Sequence, residues 1–412
     1  MTEPEVGAGD IKRPGMDRPE DMLRPLEEWQ KRPPGGDFRI KAFAEAMSSE
    51  IGASQDMYEV VSSMLHFRER RGKDTTAQYA CYLVRDAAQF LLNENLPDDY
   101  PQLSKTPDGW RLGFDYIFSN HKLDFEELLC VLDVLTIVPD REKGVQLYLA
   151  LYSHLFDKPV SILDVGTGSG AGFKGLLTNS ITHEVAAHVP TVAPDPEQPG
   201  RNIPAKGFAD YPSLTTFINQ KLRAPLAFGK AVGVDLVGIN DQNLNRWRLS
   251  CLRPGELIDD DGGTRSQLER LESLEVPNLR LEQLDFSDTE QVENFWARNG
   301  YQKFDVVTML TMLYQMSESE RSRAIDNACM VGKKVLIQDF CRVAPDQAQT
   351  QSGLEFFEKW TDYKYRTILI DAEAPLYPGQ ITPKKDEIFW WKDGRCREVV
   401  IAPSAMSVAS SP

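Results

Sequence analysis

The stretch Ser161-Ile162-Leu163-Asp164-Val165-Gly166-Thr167-Gly168-Ser169-Gly170-Ala171-Gly172 decides how the rest of the chain is read. Ile162, Leu163 and Val165 supply the apolar run of a short, buried parallel strand. Gly166, Gly168 and Gly170 then allow a sharp turn, and without a Cβ they let a ligand come close to the backbone. The pattern predicts a helix from about Gly172 to Leu177, whose first N–H groups point at the same spot. Strand, glycine turn and helix in this order make a cradle for a nucleotide or cofactor.

The spacing Gly166-x-Gly168-x-x-Ala171 also satisfies the dinucleotide fingerprint. Asp164, two residues before the first glycine, shifts the balance. A carboxylate there suits a cationic ligand and opposes a pyrophosphate over the same turn. The string Leu163 to Gly170 closely resembles motif I of the class I S-adenosylmethionine-dependent methyltransferases. That resemblance implies an α/β fold with a Rossmann-like, mostly parallel seven-stranded sheet flanked by helices. It also implies S-adenosyl-L-methionine as cofactor, with Asp164, Gly166, Thr167, Gly168 and Gly170 at its methionine end.

Later segments continue the resemblance. The strand expected second in the sheet is Ala231 to Val237, and it carries Asp235. A carboxylate there can accept both ribose hydroxyl protons, which is the family's use of the position, with Leu236 beside it. Leu279 to Leu284 reads as the third strand and runs into Asp285-Phe286. The resemblance places Asp285 near the adenine amino group and Phe286 against the ring. Lys303 to Met316 looks like motif IV and its exit loop, so residues 308–314, with Thr308 and Met309 as cofactor contacts, would border the transferring methyl. Candidate bases are Tyr314 in that loop, His183 and His188 after the glycine helix, and His154 just before motif I. No Asp-Pro-Pro-Tyr or Asn-Pro-Pro-Tyr follows the fourth strand, which disfavours methylation of amino groups on bases or glutamine. The remaining style is that of small-molecule O-, N- or C-methyltransferases. A non-catalytic, methyltransferase-like binding or scaffold subunit and an NAD(P)-dependent oxidoreductase are the competing readings.

The rest of the chain sets the frame. Its 412 residues exceed the usual single domain. Residues 1–37 read as a disordered tail, because six prolines interrupt them and little apolar surface is present. Leu23, Leu26 and Trp29 could dock locally. Helical stripes from Phe38 to Phe156 predict an all-helical N-terminal domain, a common substrate cover in such enzymes and a possible homo-oligomer contact. Residues 157–403 form the expected methyltransferase domain, and 404–412 a polar tail. Between the glycine helix and Ala231 lies an excess of sequence, about 179–229, rich in proline. It includes an amphipathic piece, Ser213 to Leu222, and reads as a lid, since long irregular loops are often lids and Phe217 and Ile218 would offer it apolar surface; an inert surface excursion is the alternative. With 46 Lys and Arg against 62 Asp and Glu, the net charge of −16 argues against nucleic-acid binding by bulk electrostatics. The six cysteines form no CxxC pair and the five histidines no ligand cluster, so no metal site is expected. No apolar run reaches the roughly 18 residues of a membrane helix. The acidic, proline-bearing N-terminus is not a signal peptide. The expectation is a cytoplasmic protein acting on a small-molecule acceptor.

Overall fold

The computed structural model describes residues 16–71, 73, 75–133, 141–152, 159–180, 185–194, 202–210, 212–224, 226–236, 242–258, 263–340, 365–374, 385–392, 396 and 398–402. The chain divides into two compact units, one of residues 1–137 with 246–263 and one of residues 138–245 with 264–412.

The second unit is built on ten described strands: β1 (Val160–Val165), β2 (Ala186–Pro194), β3 (Asn202–Asp210), β4 (Phe228–Asp235), β5 (Leu279–Gln283), β6 (Phe304–Leu310), β7 (Gly332–Phe340), β8 (Tyr365–Asp371), β9 (Lys385–Trp391) and β10 (Glu398–Ile401). They form one sheet in the order β3-β2-β10-β9-β8-β7-β6-β1-β4-β5. The block β5-β4-β1-β6-β7 is parallel throughout. Beyond it, β7-β8-β9-β10 is an antiparallel meander, β2 joins β10 in parallel, and β3 returns antiparallel to β2. The fold is therefore α/β, but the sheet is mixed and larger than the seven-stranded, mostly parallel one expected.

Period-two alternation sends each strand's side chains to two cores. Ile162, Val306, Leu310 and Leu336 face one side, with helices Lys143–Leu151 and Pro212–Arg223. Leu163, Val165, Val232, Val307 and Ile337 face the other, with Thr289–Arg298 and Glu318–Val331. The helix starts are written in the sequence. Asp288 caps Thr289–Arg298 through the N–H groups of Glu290 and Gln291. Ser317 and Glu320 form a capping box on Glu318–Val331. At the amino end of the parallel block, Asp305 ties three strands together. It accepts the Ser161 N–H and hydroxyl at 2.9 and 2.7 Å and the Lys333 ammonium at 2.8 Å.

Two expectations change in this unit. The described residues of the excess sequence at 179–229 form regular elements and not an irregular loop. Its described parts are β2, β3 and the helix Pro212–Arg223, and they extend the far edge of the sheet. Ile218 and Leu222 are buried in the core. Asn219 fastens the helix to β2 by accepting the Val185 N–H at 3.0 Å and donating to its carbonyl at 3.2 Å. The helix Lys143–Leu151, assigned above to the N-terminal domain, belongs to this unit because all nine of its residues are buried, several of them against the sheet strands.

The first unit is helical as expected, with Phe38–Ala53, Gln55–Arg70, Ala77–Asn95, Pro107–Asn120 and Lys122–Val131 as its main elements. The described part of the expected tail, however, is folded into it. Pro19–Met22 and Leu23–Lys31 are helical, and Met22, Leu26 and Trp29 are buried. Trp29 packs 4.6 Å from Tyr82, centroid to centroid. Pro19 and Pro25 sit at helix starts, where the missing N–H costs nothing, so they open helices here rather than break them. The segment 246–263 joins this unit through Gln89, whose amide donates to the carbonyls of Ser250 and Leu252 at 2.7 and 2.9 Å. The Trp247 indole adds a bond to the Asp133 carbonyl at 2.9 Å.

Candidate functional site

The parallel block reverses its winding between β1 and β6, since β4 and β5 lie to one side of β1 and β6 and β7 to the other. Ligands in open α/β sheets bind beyond the strands' carboxyl ends at such a reversal. The glycine turn follows β1 there. Gly166, Gly168 and Gly170 have φ of 73°, 63° and 78°, a region that L side chains avoid. The turn is held from β4: the N–H groups of Gly166 and Thr167 both donate to the Val234 carbonyl. The helix that follows, Ala171–Leu177, is only two turns long.

Three acids stand along these strand ends. Asp164 is paired in register with Thr308 on β6, and the Thr308 hydroxyl donates to its Oδ1 at 2.6 Å. The carboxyl is 1% exposed, and Oδ2 has no hydrogen-bond partner among the described residues. Burial raises its pKa, against the pull of the Arg141 guanidinium and the Thr308 bond. Asp235, at the end of β4, accepts the Gly168 N–H at 2.8 Å, so it braces the turn itself. Asp285, just after β5, accepts the N–H and hydroxyl of Ser287 at 2.9 and 2.8 Å.

The other expected cofactor residues divide. Thr308 is buried and serves Asp164. Met309 points away from that face, into the core with Val307 and Ile337. Leu236 is 60% exposed beside Asp235. Phe286 is only 3% exposed, within the core that holds Phe295 and Ala328. Its ring is thus not available to lie on a base, and the expected stacking is corrected: β5 ends so that Asp285 turns outward and Phe286 inward. Its carbonyl accepts the Asn327 amide at 3.0 Å. The expected bases gain little. His183 and the side chain of Tyr314 lie outside the described residues, as does His154. His188 is on β2, six strands from β1 and so about 29 Å away at ~4.8 Å per strand. That separation removes it from the chemistry at the glycine turn.

Two residues not singled out from the sequence, Arg141 and Glu142, also shape the site, together with Met312 of the expected 308–314 stretch. Arg141 donates from Nη2 to the Gly166 carbonyl at 3.1 Å and from Nε to Glu142 Oε1 at 2.9 Å. Glu142 is fully buried, and its carboxyl packs so tightly on Gly172 that a Cβ there would stand 2.1 Å from Oε1. Its Oε2 has no hydrogen-bond partner among the described residues. Burial, with the nearby Asp164 charge, pushes its pKa up to about 7 despite Arg141. Met312, in the loop after β6, lies against Gly166, where a Cβ would meet its Sδ at 3.0 Å. The preceding Thr311 has φ of 52°, a strained value for a β-branched residue. Charged residues opening an apolar helix were the only signal for the first two, because Arg141 and Glu142 directly precede Lys143–Leu151.

The arrangement is acid-lined and supplies more acceptors than donors. It suits a ligand rich in N–H, O–H or cationic groups and is hostile to a pyrophosphate. Among the described residues no group of three or more His, Cys, Asp or Glu could hold a metal ion. No described helix is long and apolar enough to cross a membrane. No protein-family model and no curated protein matches the chain.

Proposed function

We propose that the chain is an S-adenosylmethionine-dependent methyltransferase acting on a small-molecule acceptor in the cytoplasm. One observation carries the reading: a turn of three left-handed glycines is flanked by acids at the ends of β1, β4 and β5. Asp235 would accept the ribose hydroxyls, Asp285 the adenine amino group, and Asp164 would face the cationic methionine end. The orphaned Oδ2 of Asp164 fits a donor supplied by the ligand. When bound, the cofactor brings the methyl carbon and its sulfur leaving group. The chain's part is to hold both partners in line, about 3 Å apart, and to exclude water. A general base is needed only for an acceptor that is protonated at neutral pH.

Titration calorimetry with S-adenosylmethionine, its demethylated product and NAD tests this reading. Micromolar binding of the first two without NAD is expected, and NAD binding alone would replace the reading with an oxidoreductase. The non-catalytic alternative draws support from the distance of His188 and from Met312 lying on Gly166. Methyl transfer to any member of a metabolite panel decides against it.

A further inference from the structure

We propose that Met312 is a movable plug of the glycine turn, held in place through a strained Thr311, and that it must leave Gly166 before a ligand settles on the turn. The inference rests on the methyltransferase reading and adds a gate which that reading does not require. Gly166 has its N–H on the Val234 carbonyl and its own carbonyl on the Arg141 guanidinium. The side left open is the one where a Cβ would stand, and Met312 fills it. Its Sδ, Cβ and Cγ would lie 3.0, 3.1 and 3.5 Å from that Cβ. The close approach that a glycine at φ 73° allows is therefore taken by the protein's own side chain.

Strain and local fastening make the plug movable. Thr311 has φ of 52°, a left-handed value that a β-branched residue adopts only at a cost. The cost ends when the backbone beyond the Thr311 nitrogen turns back to an ordinary φ, and that turn carries Met312 off Gly166. Its surroundings confine the motion to residues 311 and 312. On one side the Thr311 N–H is fixed to the Gln338 carbonyl at 2.6 Å. On the other, Arg321 holds the carbonyls of Leu313 and Met316 at 3.2 and 3.3 Å. Met312 is only partly buried against the core that holds Leu313, and its unbranched thioether repacks readily. A fixed plug would serve the non-catalytic alternative; the strain beside it makes it a gate.

The test is calorimetry on the full chain with S-adenosylhomocysteine, read beside thermal denaturation. Two variants should move the affinity in opposite directions. Met312→Ala removes the plug and should bind at least about threefold more tightly than wild type, because less affinity is lost to opening. Thr311→Asn accepts the left-handed φ and so steadies the plug. It should bind roughly three- to fivefold more weakly and melt no lower than wild type. Thr311→Asn carries the test alone if Met312→Ala does not fold. A Met312→Ala chain that binds no more tightly, or a Thr311→Asn chain that binds no more weakly, overturns the gate and leaves the methyltransferase reading standing. Weaker binding of Thr311→Asn together with a lower Tm is damage rather than closure, and it also overturns the gate. If wild type and both variants bind neither S-adenosylhomocysteine nor S-adenosylmethionine, the methyltransferase reading falls, and this inference with it.

Discussion

Asp235 and Glu142 show how much of a site rests on single carboxyls. Asp235 already holds the Gly168 N–H, so it both shapes the turn and would meet the ribose. Charge-assisted bonds are worth ~1.5–3 kcal/mol each. Asp235→Ala should therefore weaken S-adenosylmethionine binding at least about tenfold by calorimetry, with circular dichroism unchanged. Glu142 acts in the opposite sense on stability. Its folded pKa, about 7, lies above the ordinary 4.5, so between these values the folded chain binds more protons than the unfolded one. Stability then falls as pH rises through that window. Glu142→Gln removes the proton, so its Tm relative to wild type should climb from pH 5 to pH 8. A difference that stays flat with pH would show that Glu142 does not titrate there.

At the scale of elements, prolines and edge strands decided what the sequence left ambiguous. The helix Leu23–Lys31 carries an apolar stripe of Leu26 and Trp29, with Pro25 in its first turn. Burying each large apolar side chain contributes roughly 1.5–3 kcal/mol. Removal of residues 1–31 should therefore lower the Tm by at least about 5 °C in thermal denaturation, and an unchanged Tm would place this helix outside the cooperative core. The proline-rich excess at 179–229 is the parallel case. Proline suits a strand at or near a sheet edge, where fewer ladder N–H groups are needed. β2 and β3, with Pro190, Pro194 and Pro204, form that edge. The helix behind them, with Ile218 and Leu222, completes the core beside Lys143–Leu151. The described parts of this segment thus serve as core and sheet edge.

At the scale of the whole molecule, the chain crosses between its two units three times, after residues 137, 245 and 263. Segment 246–263 supplies buried Trp247, Leu252 and Leu257 to the helical unit. It also supplies the carbonyls that satisfy buried Gln89, which in turn accepts the Tyr100 hydroxyl at 2.6 Å. A fragment of residues 1–137 would leave these partners unmade. It should lack a cooperative melt, while adding a peptide of residues 246–263 should restore part of it. A cooperative melt of the fragment alone would show the segment to be peripheral. By itself the sequence determined the strand-turn-helix at Val160 to Leu177, the parallel strands ending in Asp164, Asp235 and Asp285, and the helical N-terminal region. Those are local facts: apolar runs of strand length, glycines where φ must be positive, caps such as Ser317 with Glu320. Tertiary structure alone decided that Phe286 faces the core, that His188 stands six strands away and that Leu23–Lys31 is docked. It alone decided that segment 246–263 completes the helical unit and that Arg141 and Glu142 reach the glycine turn. Each of these depends on which distant surface a side chain meets, and neither spacing nor propensity encodes a partner more than a turn or a strand pairing away.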